Sequence, residues 1–341
     1  MAMRHAMGAI VVACLFGTVA STASAQTITG ETSITAGVST DQVTAAATQS
    51  RVFGETKGLR FFAEGSWTKL TEGDEGRESE AFSSAYPYEG PPRVMEAYAE
   101  RFARGRRFFG GIRGGRFRTP FGIYNASDHA YSGFLRAPLI RYEGYWGLAN
   151  TFFEHGVDIV GGTASVQGEI TLGRPGDASE DSKRRPGADV IARVQAYRGS
   201  LVVGASHVRS ETYGPQPWAN GSMAFTGLDV RWMSNGVQLR GEFINGQPWD
   251  GTRTWGGYVD AFVHVPAMGP VTAVARLEAL DYKTARAEFN SAPTGAAAGA
   301  RIKVSDGLYA QVNVTHRPDE PYGPAVTATD MALTYTVRYP K

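Results

Sequence analysis

Between Phe225 and Asp281 the chain alternates apolar and polar residues through two consecutive hairpins. Leu228, Val230 and Trp232 alternate with Asp229 and Arg231. After Ser234-Asn235-Gly236, Val237, Leu239, Gly241 and Phe243 alternate with Gln238, Arg240 and Glu242. Val259, Ala261 and Val263 then oppose Asp260 and His264, and Pro266 to Gly269 turns the chain. Val271, Ala273, Ala275, Leu277 and Ala279 oppose Thr272, Arg276 and Glu278. A period of two is that of a β-strand with one apolar and one polar face, and Asn-Gly is a strong two-residue hairpin signal. A soluble sandwich can also turn charges outward. What narrows the choice is that the pattern persists over most of the chain, in strands near the ~9–11 residues that cross a bilayer.

The count of segments makes the same point. The alternation yields sixteen strands, with seven short connections near residues 55, 105, 162, 199, 235, 267 and 306 and eight connections between them that are mostly longer. Two segments, Thr29 to Val38 and Val43 to Phe53, carry weak patterns, so fourteen strands is the alternative. Val94 to Phe102 contains good helix formers, but its neighbours favour a strand. Arg107 to Arg118 is interrupted by Gly110-Gly111 and Gly114-Gly115, which leaves its facing open, with Arg113 out of phase with Arg116 and Arg118. The last loop begins at Arg317. An even number of strands with short turns at one end and long loops at the other describes an all-β, closed antiparallel transmembrane barrel. The third long loop, residues 119–153, has no steady period.

Of 341 residues, 42 are glycine and 20% are charged, a strand-and-turn profile. Residues 1–25 read as a secretory leader: Arg4 and His5, a mostly apolar run from Ala6 to Ala20, and the small-x-small site Ala23-Ser24-Ala25. Val11-Val12-Ala13-Cys14 resembles a lipoprotein cleavage box, but cleavage there would leave a very short apolar core. Residues 26–341 form the barrel on this reading. Removing the leader removes Arg4 and the one cysteine, leaving 33 basic and 33 acidic side chains. Zero net charge argues against a nucleic-acid partner, and the absence of cysteine excludes disulfides. No later segment holds ~18 consecutive apolar residues, the length of a membrane helix.

In lipid the apolar face points outward and the polar face lines the lumen. The inward set is then Asp158, Arg193, Asp229, Arg231, Arg240, Glu242, Asp260, Arg276, Glu278, Arg301, Lys303, Asp330 and Arg338, seven basic and six acidic. A sixteen-stranded barrel is wide enough to hold water among them. Trp232, Trp255, Tyr335 and Tyr339 fall near strand ends, where aromatic girdles sit.

The run Gly115-Arg116-Phe117-Arg118-Thr119-Pro120-Phe121-Gly122 resembles the strand-end motif of phosphate-selective-type porins, and Gly133 to Gly144 and Glu154-His155-Gly156-Val157-Asp158 are similar to related porin-like proteins. The resemblance implies a homotrimer in outer-membrane lipid that passes small polar solutes or ions by passive diffusion, without a cofactor. It also implies that residues 119–153, as the third external loop, fold inward as a constriction. Charges at a constriction set ion preference, so Arg113, Arg116, Arg118, Asp128, Arg136, Arg141 and Glu143 join Arg193, Arg231, Arg240, Glu242, Arg276 and Glu278 as candidates. The chain departs from that family in having no lysine between Thr71 and Asp181 and in ending Tyr339-Pro340-Lys341. The first departure removes the lysine cluster on which phosphate selectivity relies.

Other classes have weaker support. An enzymatic barrel needs a nucleophile, base and acid set or clustered carboxylates. The histidines His129, His155, His207, His264 and His316 are scattered, no Gly-x-Ser-x-Gly elbow occurs, and no Cys/His spacing suits a metal. Gly110 to Gly115 mimics a phosphate loop, but no helical pattern follows it. A secreted β-protein and a closed, non-conducting barrel remain as alternatives.

Overall fold

The computed structural model describes residues 27–71, 82, 90–123, 133–141, 153–175, 188–210, 222–248, 253–283, 290, 292–318 and 326–340. The leader expected at residues 1–25 lies outside them. The described residues form sixteen strands: β1 (Thr27–Ser39), β2 (Thr44–Thr56), β3 (Leu59–Leu70), β4 (Gly90–Arg104), β5 (Phe109–Arg118), β6 (Phe153–Gly162), β7 (Val166–Pro175), β8 (Asp189–Arg198), β9 (Leu201–Ser210), β10 (Met223–Ser234), β11 (Val237–Gln247), β12 (Thr254–His264), β13 (Val271–Tyr282), β14 (Thr294–Ser305), β15 (Leu308–Arg317) and β16 (Val326–Tyr339). Each pairs antiparallel with its sequence neighbours, and β1 pairs with β16, so the sheet closes. Sixteen, not fourteen, is the strand number. The two weakly patterned segments are full strands of 13 residues each, held by register on both sides.

Closure pairs every strand with two neighbours, the condition a spanning sheet must meet. At the seam the inner face adds Ser33 Oγ to Thr336 Oγ1 and Thr35 Oγ1 to Thr334 Oγ1, each 2.8 Å. At the β10–β11 turn Asn235 and Gly236 both take positive φ, 48° and 80°, as a tight hairpin of this hand requires.

The two faces separate as the alternation predicts. Leu228, Val230, Phe243, Val259, Leu277 and Leu333 are exposed on the outside, while Asp229, Arg240, Glu242, Asp260, Arg276 and Asp330 are buried inside. A sheet with charges inside and aliphatic side chains outside is inverted relative to a soluble core, and an apolar surrounding is what stabilises it. Trp232, Trp255, Tyr335 and Tyr339 all lie on the outer surface, and Trp255 Nε1 donates to Asp281 Oδ2 at 2.9 Å.

The inner face is not polar throughout. Ile191, Val208, Phe225, Ile244, Tyr258 and Leu280 point inward and are almost completely buried. These positions continue the parity of the lumen charges, so the expectation of a polar inner face fails toward the loop-side ends of β8–β13. The cause is a loop that folds into the barrel and covers them.

Candidate functional site

Residues 119–123 and 133–141 all lie buried within the barrel. Their sequence explains why. Phe121, Ile123, Phe134, Leu135, Leu139 and Ile140 need an apolar partner, and Pro120 and Pro138 keep the chain from forming a strand of its own. Phe121, Leu139 and Ile140 pack on Ile191, Val208, Phe225, Ile244, Tyr258 and Leu280. Leu135 packs with Phe82, Val43, Ala45 and Ala332, and Phe134 with Val274 and Ala297. Each such side chain removed from water contributes about 1.5–3 kcal/mol.

A short segment crossing a lumen must also satisfy its backbone. Gly122 N donates to Ser206 Oγ at 3.1 Å, and Leu139 N to Glu278 Oε2 at 2.9 Å. Leu135 N donates to Asn313 Oδ1 at 3.0 Å, and Asn313 Nδ2 donates back to Gly133 O at 3.2 Å. The carbonyls of Arg136 and Ala137 accept from Arg276 Nη1 and Arg317 Nη2, each at 2.9 Å. The strap is thereby tied to β9, β13 and β15. Gly122 sits at φ 63°, and a Cβ there would collide with Glu242 Oε1 and Arg141 Nη2.

The strap's two arginines point into the wall. Arg136 donates to both Asp330 oxygens on β16, Nε to Oδ2 at 2.6 Å and Nη2 to Oδ1 at 3.0 Å, and also to Asp41. Burial favours loss of its charge, but the Asp330 and Asp41 bonds more than offset this and hold the guanidinium pKa above its usual value. Arg141 pairs with Glu242, and its Nη2 also donates to Phe121 O at 3.1 Å, closing the strap on itself. Both members of the Arg141–Glu242 pair are fully shielded from solvent.

The remaining candidates divide by position. Arg113 faces inward, between Asp158 (3.0 Å) and Glu169 (2.9 Å). Arg118 reaches Glu64 (2.6 Å) and Glu96 (3.1 Å). Arg116 shares the parity of outward-facing Ile112 and is paired with His155. Arg118 shares that parity but, at the end of β5, turns in to Glu64 and Glu96, so Arg113 and Arg118 both reach inward carboxylates, a facing that the β5 glycines leave open in the sequence. Arg193 contacts Asp229 (3.0 Å) and Ser206 (2.7 Å). Arg240 and Arg276 share Asp260 (2.9 and 2.7 Å), and Arg231 lies opposite Arg240. Glu278 holds Arg317 at 2.9 Å as well as the strap backbone. Asp128 and Glu143 lie outside the described residues. Arg317, expected in a loop, instead ends β15 and points inward, sharing the parity of Asn313 and Thr315, which is the signal that could have found it. Among the described residues, no group of three or more His, Cys, Asp or Glu side chains is placed to hold a metal ion.

The chain's fold recurs in solved structures at low sequence identity. OmpF of Salmonella typhi, solved in complex with daunomycin, is 14% identical with a TM-score of 0.65, covering 91% of this chain and 97% of that one. An anion-selective porin from Comamonas acidovorans is 13% identical with a TM-score of 0.61, covering 91% and 99%. The trimer form of OmpT, an outer-membrane protein of Vibrio cholerae, is 11% identical with a TM-score of 0.59, covering 92% and 98%. No protein-family model and no curated protein matches the chain. The architecture is that of the porin-type outer-membrane barrel.

Proposed function

We propose that this protein is an outer-membrane porin, exported by its leader, through which small polar solutes or ions diffuse passively, with residues 119–153 as its constriction loop. The observation that carries this reading is the combination of an apolar outer wall, a charged inner wall and a buried strap running along the inner wall from β9 to β16. A strap on one side of a lumen narrows it, and the charged groups beside it then act on every passing ion. Arg113 and Arg118, with Arg193, Arg231, Arg240, Glu242, Arg276 and Glu278, are the groups proposed to set ion preference. Among the described residues nothing in the lumen resembles an assembled nucleophile and base, so we assign no catalytic role.

A homotrimer fits the outer surface. On β1–β4 the outer face carries a run of small residues, Ala46, Ser50, Ala63, Gly65, Ala97 and Ala99, beside the larger Phe61 and Trp67, and the Thr32 and Ser50 hydroxyls meet there at 3.1 Å. Elsewhere many outer residues are large and aliphatic. Small and hydroxylated side chains permit close approach of another wall, and lipid favours the large ones. The resemblance to phosphate-selective-type porins rests on sequence motifs, while the barrel is that of porins at large, and we assign no phosphate preference.

Planar-bilayer conductance of the refolded protein tests the reading. Stepwise openings support it. The apolar packing of the strap also fits a plugged barrel, and a folded protein that never conducts would favour that alternative.

A further inference from the structure

We propose that the inner wall of β2–β5 is a binding site for small organic cations that carry an aromatic ring. The proposal rests on the barrel interior being a solute path, and it is carried by an inner-wall pattern that the strap does not explain.

On β8–β13 the inward apolar residues are covered by the strap. On β2–β5 the inward aromatics are not: among the described residues, no strap side chain packs on Phe53, Phe62, Tyr98 or Phe102. They are arranged in rows. Phe53, Phe62 and Tyr98 are direct cross-strand partners, with the Phe62 and Tyr98 ring centroids 5.3 Å apart. Nearer the turns, Phe102 and Phe109 stack at 5.4 Å and 22°. Rings on a lumen face cannot be explained by lipid, and they break the alternation rule that the outer face obeys.

Between these rows runs one of charge. Glu55, Arg60, Glu100, Arg113 and Asp158 are successive cross-strand partners, three carboxylates to two guanidiniums. Arg60 alone serves both Glu55 (3.3 Å) and Glu100 (3.5 Å), and all three are partly exposed. Loose, solvated pairs of this kind are weak and exchange partners readily. On the other side of the Phe53 row, Glu31, Arg51, Glu64 and Glu96 are again paired in register, and Arg118 and Arg338 join them, so that this row is charged but balanced. Ring rows therefore alternate with charged rows, at the step of two strand residues, about 7 Å, and the acid-rich one is the row through Arg60 and Glu100.

The ring faces already accept cations. The Arg60 guanidinium carbon lies 5.3 Å from the Phe102 centroid and that of Arg113 5.2 Å from Tyr98. Next to this wall, at the β16–β1–β2–β3 edge, a cavity of about 340 Å³ shares Phe53 and Phe62 with it and is otherwise lined by Glu31, Arg51 and Arg338; Glu100 and Phe102 lie outside that lining. That volume admits a single-ring molecule. A ligand whose ring and ammonium are joined by a two-carbon arm spans one ring row and one acid-rich row. Its ring stacks on Phe62 or Phe102, and its ammonium takes the carboxylate that Arg60 shares out.

Phenethylammonium is the probe, and ethylammonium, which lacks the ring, is the control. Two readouts separate the site from the channel: saturation-transfer NMR on the protein in detergent micelles, and block of single-channel potassium chloride current. The expected result is that phenethylammonium binds and blocks about tenfold more strongly than ethylammonium, the scale of one ring–ring contact. Phe102→Leu and Glu100→Gln are each expected to weaken it several-fold. Glu100 is partly exposed, so Glu100→Gln remains informative if the ring variant fails to fold. Equal response to the two amines, or wild-type binding by Glu100→Gln, overturns the proposal. Probe binding without any conductance supports the site and removes the porin reading instead.

Discussion

Arg136 and Asp330 stand 194 positions apart in the chain and meet in a two-pronged pair, with Nε to Oδ2 at 2.6 Å and Nη2 to Oδ1 at 3.0 Å. The pair joins the middle of the loop strap to the last strand of the barrel, and both side chains are almost fully buried. Parallel N–H···O bonds of this kind fix orientation as well as position. Removing one partner leaves a buried charge, which costs about 3–5 kcal/mol. Asp330→Ala is therefore expected to lower stability in urea titrations of the micelle-bound protein by about 3 kcal/mol, with Asp41 retaining part of the attachment. It is also expected to make single-channel current noisier, because the strap loses its far anchor. A variant with wild-type stability and a quiet current would show that the pair does not hold the strap.

Gly122 tests the near end of the same strap. Its φ of 63° disfavours a side chain, and a Cβ would meet the Arg141–Glu242 pair. Gly122→Ala is expected to cost about 1–3 kcal/mol in the same titration. Gly199, also at positive φ but with open space around its Cβ position, is the control, with a cost near the lower end of that range. Equal costs at the two sites would show that the strap yields to the added methyl.

The inversion of inside and outside makes a third prediction. Leu277 is 69% exposed on the outer wall, beside buried Arg276. In a bilayer, Leu277→Arg is expected to cost about 2–4 kcal/mol near the midplane. On a soluble protein the same exposed substitution falls within about 0.5 kcal/mol. Refolding into vesicles and urea titration distinguish the two.

Arg113 lies between two lumen carboxylates. Arg113→Gln leaves Asp158 and Glu169 without that counter-charge, so the channel is expected to shift toward cations. Under a potassium chloride gradient the reversal potential moves in the cation-permeable direction. No shift, or a shift toward anions, would place Arg113 outside the path that controls ion preference.

What is legible in the sequence depends on how local each signal is. Strand number and the inward parity of Asp229, Arg240 and Arg276 can be read because a period of two is written in consecutive residues. A strand end offers less help. Arg317 reads as loop because Pro318 follows it, although it continues the β15 alternation. The partners of the strap are not legible at all. Nothing near Arg136 names Asp330, and nothing near Leu139 names Ile244. Those contacts come from closing the barrel and folding the loop inward. The aromatic rows are hidden for a related reason. Phe53, Phe62 and Tyr98 look unrelated until the register of β2, β3 and β4 aligns them.

The most direct test is planar-bilayer conductance of the purified, refolded protein, with the reversal potential taken under a salt gradient. A water-filled channel narrowed by the strap predicts stepwise openings, arriving in threes if three barrels associate. A folded, heat-modifiable barrel that never conducts would contradict it and leave the strap as a plug.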